Sequence, residues 1–182
     1  GMDSKSFDYT EYKSKFSAHE LKHAPEELFF EGNIDLLLKG TRVSVVGSRK
    51  PTNDGIKRAE IITKELIKRD IVVVSGLASG IDTIAHETAM QNSGKTIAVL
   101  GTPLDKAYPS QNKGLLDNIK KEHLAISQFR TGYPVQNHNF PMRNRTMALI
   151  SDATIIIEAS ENSGTKHQGW EAMRLGRMVF IL

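Results

Sequence analysis

At 182 residues, with 24 Lys plus Arg against 21 Asp plus Glu, the chain carries a formal charge of +3 and is long enough to bury the core of one domain with a short appendage. The absence of cysteine excludes a disulfide framework, zinc–thiolate centres and cysteine nucleophiles. No apolar run approaches the roughly 20 residues that span a bilayer, and no signal-type segment opens the chain, so a cytoplasmic protein with no membrane partner is expected. The small positive charge permits a nucleic-acid or nucleotide ligand without demanding one.

Gly1 before Met2 reads as an expression-tag scar. Residues 3 to 30 are polar with scattered aromatics (Phe7, Tyr9, Tyr12, Phe16), which suits one or two short helices leaning on a larger body, so residues 1–38 are expected to form a helical appendage or lead-in. Residues 39–182 then alternate apolar runs with helical periodicity. Strands are expected at 43 to 47, 71 to 75, 96 to 100, 124 to 128, 154 to 158 and 178 to 182. Four of these runs are almost wholly Val, Ile, Ala and Leu, the composition of strands buried on both faces. Ile56, Ala59, Ile62 and Leu66 recur at helical spacing, and further helices fit 83 to 92, 112 to 122, 144 to 151 and 167 to 175. The alternation predicts an α/β fold, a Rossmann-like doubly wound, mostly parallel sheet with helices on both faces and a ligand edge at the carboxyl ends of its strands. The run Met178-Val179-Phe180-Ile181-Leu182 has no polar tail, which suggests that the natural chain continues.

Four loops on that edge are candidates for chemistry. After the first strand, Gly47-Ser48-Arg49-Lys50 precedes a helix start, where exposed amides and two cations would attract an anion; an ordinary strand-to-helix turn is the competing reading. After the second, Ser75-Gly76-Leu77-Ala78-Ser79-Gly80 is small enough for a ligand or a neighbouring backbone to approach, with Asp82 most simply a helix cap. Phe140-Pro141-Met142-Arg143-Asn144-Arg145 places two guanidinium groups in or before a first helical turn, where an anion or an internal carboxylate, Glu158 or Asp152, has to compensate them. After the fifth strand, Ser163-Gly164-Thr165 offers amides and hydroxyls to a phosphate, or else caps a helix. Phe140 or Phe129 is placed to stack on a base. Gly94-Lys95-Thr96 is not a Walker A loop, since it precedes a strand and lacks the earlier glycine, and His86-Glu87 has Met90 where a zinc helix needs histidine. No metal, no cofactor and no catalytic nucleophile with a matching base is expected.

Taken in order, these segments resemble the DNA-processing protein A family (DprA, also called Smf) over residues 24 to 182. The likeness runs through Pro25 to Asn33, Val46-Gly47-Ser48-Arg49, Ser75-Gly76-Leu77-Ala78, Gly80-Ile81-Asp82, Thr96 to Gly101, Tyr108-Pro109, Phe140-Pro141 with Arg143-Asn144-Arg145, Glu158-Ala159, and Ser163-Gly164. It implies a non-enzymatic, single-stranded DNA-binding protein that loads a RecA-type recombinase in natural transformation, dimerises, and holds phosphates on Ser48, Arg49, Arg143, Asn144 and Arg145. The alternative is a nucleotide sensor or phosphoribohydrolase-like enzyme of the same wider fold group, to which Gly164-Thr165 and Glu171 bear a loose likeness.

Overall fold

The computed structural model describes residues 7–159, Met173 and 178–182. Two short helices, α1 (Tyr9–Lys13) and α2 (Ala18–Leu21), precede β1 (Phe29–Gly32) and α3 (Asp35–Leu38). There follow β2 (Arg42–Gly47), α4 (Asn53–Lys68), β3 (Val72–Ser75), α5 (Ile81–Gln91), β4 (Thr96–Leu100), α6 (Lys113–Glu122), β5 (Leu124–Ser127), α7 (Asn139–Ile150), β6 (Ala153–Ile157) and β7 (Met178–Ile181). The helix expected at 167 to 175 lies outside the described residues apart from Met173. No described helix is long and apolar enough to cross a membrane.

One seven-stranded sheet runs in the order β1-β5-β4-β3-β2-β6-β7. All neighbours are parallel except β1 and β5, where Phe29 faces Ser127 and Gly32 faces Leu124 in antiparallel register. β1 departs from the expected wholly helical lead-in: four residues are too few for a readable period, and the sheet supplies the pairing instead. Gly32 at φ +114 is required there, since a Cβ would stand 2.2 Å from the His123 carbonyl oxygen. The lead-in shares the central core, with Tyr12 and Phe16 buried in one cluster with Val99 and Ile126.

Strands β2, β3 and β4 form from apolar runs because both faces are covered, and β4 is buried along its whole length. Thr52 caps α4 through Gly55 N–H, and the helix turns Ala59 and Thr63 inward. α7 is different. Nearly all of its residues from Arg143 on are buried, and it begins at Asn139, so Pro141 occupies the first turn, where a missing N–H costs nothing. Arg143 and Arg145 therefore lie in the second turn, past the positive helix end at which the sequence placed them.

Candidate nucleic-acid interface

Strand order reverses at β2, whose chain neighbours run outward through β3, β4 and β5 on one side while β6 lies on the other. The carboxyl ends of β2 and β6 thus meet at the crevice that open α/β sheets use for ligands. Backbone fills much of it. Ser48 N–H donates to the Ile157 carbonyl at 3.2 Å, and the Ser48 carbonyl accepts from Ile81 N–H at 3.0 Å. A Cβ on Gly47 would stand 2.0 Å from the Ile157 oxygen, and one on Gly80, whose φ is +79, would stand 2.3 Å from the Ser48 oxygen. Both glycines admit protein backbone at close range.

The two anion-attracting positions already hold carboxylates of the chain itself. At the start of α4, Thr52 N–H donates to Glu158 Oε1 at 2.9 Å and the Thr52 hydroxyl donates to Glu158 Oε2. These bonds, hydroxyl first and amide second, hold the Glu158 carboxyl below its usual range. In the β3 loop, Gly76 N–H and Ala78 N–H donate to Asp82 Oδ2 at 3.0 and 3.4 Å. Asp82 is therefore not the expected cap; α5 starts at Ile81, with Gly80 before it supplying no side-chain cap bond. Leu77 stands between those amides at φ +63, its N–H donating to His86 Nε2 at 3.2 Å and its carbonyl accepting from Asn112 at 2.8 Å.

Arg143 is 5% exposed and faces inward. Its guanidinium donates to the Gly76 and Val99 carbonyls at 2.6 and 3.0 Å and to Asn144 Oδ1 at 3.0 Å. Gly76 separates it from Asp82: a Cβ there would meet Arg143 Nη1 at 2.7 Å and Asp82 Oδ2 at 2.8 Å. Burial lowers the Arg143 pKa to about 10, against which Asp82 raises it, so it stays charged at neutral pH. Burial also pushes Asp82 up, opposed by Arg143 and the loop amides. The compensating carboxylate is thus Asp82. The two acids named from sequence are engaged elsewhere, Glu158 at Thr52 and Asp152 with Arg42 N–H at 2.9 Å.

Above this buried pair the surface is cationic and aromatic. Arg49 and Lys50 are exposed. The Arg49 guanidinium lies 6.0 Å from the Phe140 ring centroid, that of Arg143 lies 5.5 Å from it, and the Tyr108 ring packs at 5.1 Å. Phe140 is seated against Gly101, where a Cβ would come within 2.6 Å of its ring. Tyr108 remains 48% exposed, whereas Phe129 is 3% exposed and unavailable as a stacking platform.

The model of the family described as DNA recombination-mediator protein A matches residues 5–182. The chain belongs to that family. DNA processing protein DprA of Streptococcus pneumoniae is 45% identical over 163 residues, covering 90% of this chain and 57% of that protein. Its X-ray structure superposes with a TM-score of 0.79 at 39% identity, covering 96% of this chain and 66% of that one. A structure described as giving insight into the single-stranded DNA binding mode of DNA processing protein A from Helicobacter pylori superposes with a TM-score of 0.77 at 30% identity, covering 86% and 72%. The chain spans about half the length of the curated DprA relatives it matches.

In this DprA-family chain the residues singled out from sequence do not form one cluster. Gly47, Ser48, Arg49, Lys50, Gly76, Phe140, Arg143 and Asn144 gather at the β2–β3–β4 edge. Ser75 is fully buried with its hydroxyl donating to the Val45 carbonyl at 2.6 Å. Arg145 lines a separate cavity beside α2 and Phe129. Ser163, Gly164 and Thr165 lie outside the described residues. Sequence reasoning missed Tyr108 as the exposed ring beside Phe140, although Tyr108-Pro109 stood among the resembling segments. Among the described residues no group of three His, Asp or Glu is placed to hold a metal ion.

His86 supports the β3 loop and carries a pH prediction. It is fully buried, with Nδ1 2.7 Å from the Thr96 hydroxyl; that hydroxyl donates to the Val73 carbonyl, so Nδ1 donates to it and Nε2 accepts from Leu77. Burial first, then the charges of His123 and Arg143, lower its pKa from 6.5 to about 3. The folded state thus binds fewer protons than the unfolded state between those values, and stability is lost as pH falls below 6.5. His86 alone is expected to remove about 1 kcal/mol between pH 7 and 5.5. Urea titrations of the parent and His86→Gln at the two pH values check this; an equal acid dependence in both contradicts it.

Proposed function

We propose that the chain binds single-stranded DNA through Arg49, Lys50, Phe140 and Tyr108, as a recombination mediator of the cytoplasm. The observation that carries this reading is the exposed Arg49 guanidinium over the Phe140 ring with Tyr108 alongside. A cation next to stacked rings grips phosphate and base face together without reading sequence. The Helicobacter pylori relative supports it, because its structure concerns single-stranded DNA binding. Recombinase loading and homodimerisation, implied by the resemblance, belong to the same proposal.

The nucleotide-enzyme alternative needs a closed phosphate cradle. Asp82 and Glu158 already occupy the amides that would build one at the β3 loop and at α4, which favours an open strand-binding surface.

Fluorescence anisotropy of labelled oligo-dT and a matched duplex across a salt series tests the reading. Arg49→Ala is expected to weaken oligo-dT binding across the salt series and lower the salt slope by about one. Tyr108→Ala is expected to cost about 1–3 kcal/mol of affinity. Absence of single-strand binding at low salt, or an Arg49→Ala chain with unchanged affinity and slope, would overturn it.

A further inference from the structure

A cavity of about 390 Å³ opens where α2 and the lead-in to β1 meet α7 and the segment after β5. Its size falls within the roughly 300–1,000 Å³ of small-ligand sites. Lys22, His23 and Arg145 line it, and His19 packs its ring against His23 at 5.3 Å. Burial, then the charges of Arg145, His19 and Lys22, lower the His23 pKa, which keeps that ring neutral at pH 7 and leaves Lys22 and Arg145 as the cations of the cavity. Aromatic surface also lines it. Tyr133, 38% exposed, packs on the buried Phe129 ring at 5.2 Å.

Acidic groups are near but do not neutralise the cluster. Glu27 is taken by Arg130, which donates Nε to it at 2.9 Å and Nη2 to the other oxygen, and Glu26 is exposed. Among the described residues no carboxylate lies within ion-pair distance of Lys22, His23 or Arg145. Like charges gathered in a concavity are unfavourable unless an anion joins them, and a guanidinium with an ammonium is a phosphate-binding pair. A ring wall beside that pair suits the planar half of the same ligand.

We propose that this cavity binds a nucleoside phosphate, its phosphate on Arg145 and Lys22 and its base on Tyr133. The site is separate from the Arg49–Phe140 surface and does not depend on it. The ligand is either one nucleotide of a bound strand or a free mononucleotide.

Calorimetric titration with dTMP, thymidine and inorganic phosphate tests this, using the full chain, a Lys22→Ala/Arg145→Ala variant, Tyr133→Ala and Arg49→Ala, each with a thermal melt to confirm folding. Saturable dTMP binding is expected, at least tenfold weaker in Lys22→Ala/Arg145→Ala, weaker in Tyr133→Ala, and tighter than either thymidine or phosphate. Arg49→Ala should bind dTMP as the parent does while losing oligo-dT affinity, which separates failure of this site from failure of the DNA surface. No dTMP binding at low salt, binding indifferent to Lys22 and Arg145, or loss only with Arg49→Ala would overturn the proposal. Where dTMP does bind, displacement by oligo-dT from the parent chain assigns the site to a strand nucleotide; retention assigns it to a free one. Both uphold the site.

Discussion

Arg143→Ala is expected to lower the unfolding free energy by about 3–5 kcal/mol, as removal of one member of a buried charged pair does. Three consequences coincide. The Gly76 and Val99 carbonyls lose their donor, the Asp82 carboxylate loses its neighbouring charge inside the protein, and a void opens beneath Phe140. Urea denaturation measures the loss, and a drop below about 1 kcal/mol contradicts the assignment. Arg143→Lys should recover only part of it, because one ammonium does not reproduce a planar fork donating to Gly76, Val99 and Asn144. Combining Arg143→Ala with Asp82→Ala should cost less than the two separate losses added together, since the second change removes the stranded charge. Under conditions where Arg143→Lys stays folded, the salt slope of oligo-dT binding should match the parent. That contrasts with Arg49→Ala and separates the arginine that holds the edge from the one offered to a strand.

Gly80→Ala is the second large expected effect, about 2–4 kcal/mol from a left-handed backbone cost added to a steric one. The added methyl meets backbone, with the Ser48 oxygen at 2.3 Å and the Arg49 carbon at 2.7 Å, so rotation of a flexible side chain cannot relieve it. Either the Ser48–Arg49 turn shifts or the Ile81-to-Ser48 hydrogen bond opens. Both displace Arg49 from Phe140, so oligo-dT affinity should fall together with stability. Gly114→Ala, where an added Cβ has nothing within 4 Å, serves as the control and should leave binding unchanged. A Gly80→Ala chain as stable as its parent would show that the turn is softer than the packing indicates.

Much of the architecture was legible in residue order. Strands covered on both faces must be continuous apolar runs, and β2, β3, β4 and β6 are such runs; periodicity is local, so α4 could be placed from Ile56, Ala59 and Ile62 alone. The loop at Gly76 was legible as a close-approach point, and Gly47 as a turn between strand and helix. What approaches them was not.

The sequence by itself determined the alternation, the parallel sheet and the edge on which chemistry could sit, because each depends on neighbours within a turn or a strand. Tertiary structure alone decided which charged group meets which. Glu158 reaches the start of α4 from 106 residues away, and Arg143 reaches Gly76 across 67. Arg143 and Arg145, two positions apart, leave α7 in opposed directions because a helix turns about 100° per residue, so one is buried under the edge and the other lines the cavity by α2. The antiparallel β1 likewise exists because β5 presents an open edge to Phe29–Gly32. Charge pairing, burial and edge pairing are set by distance in space, which spacing along the chain does not encode.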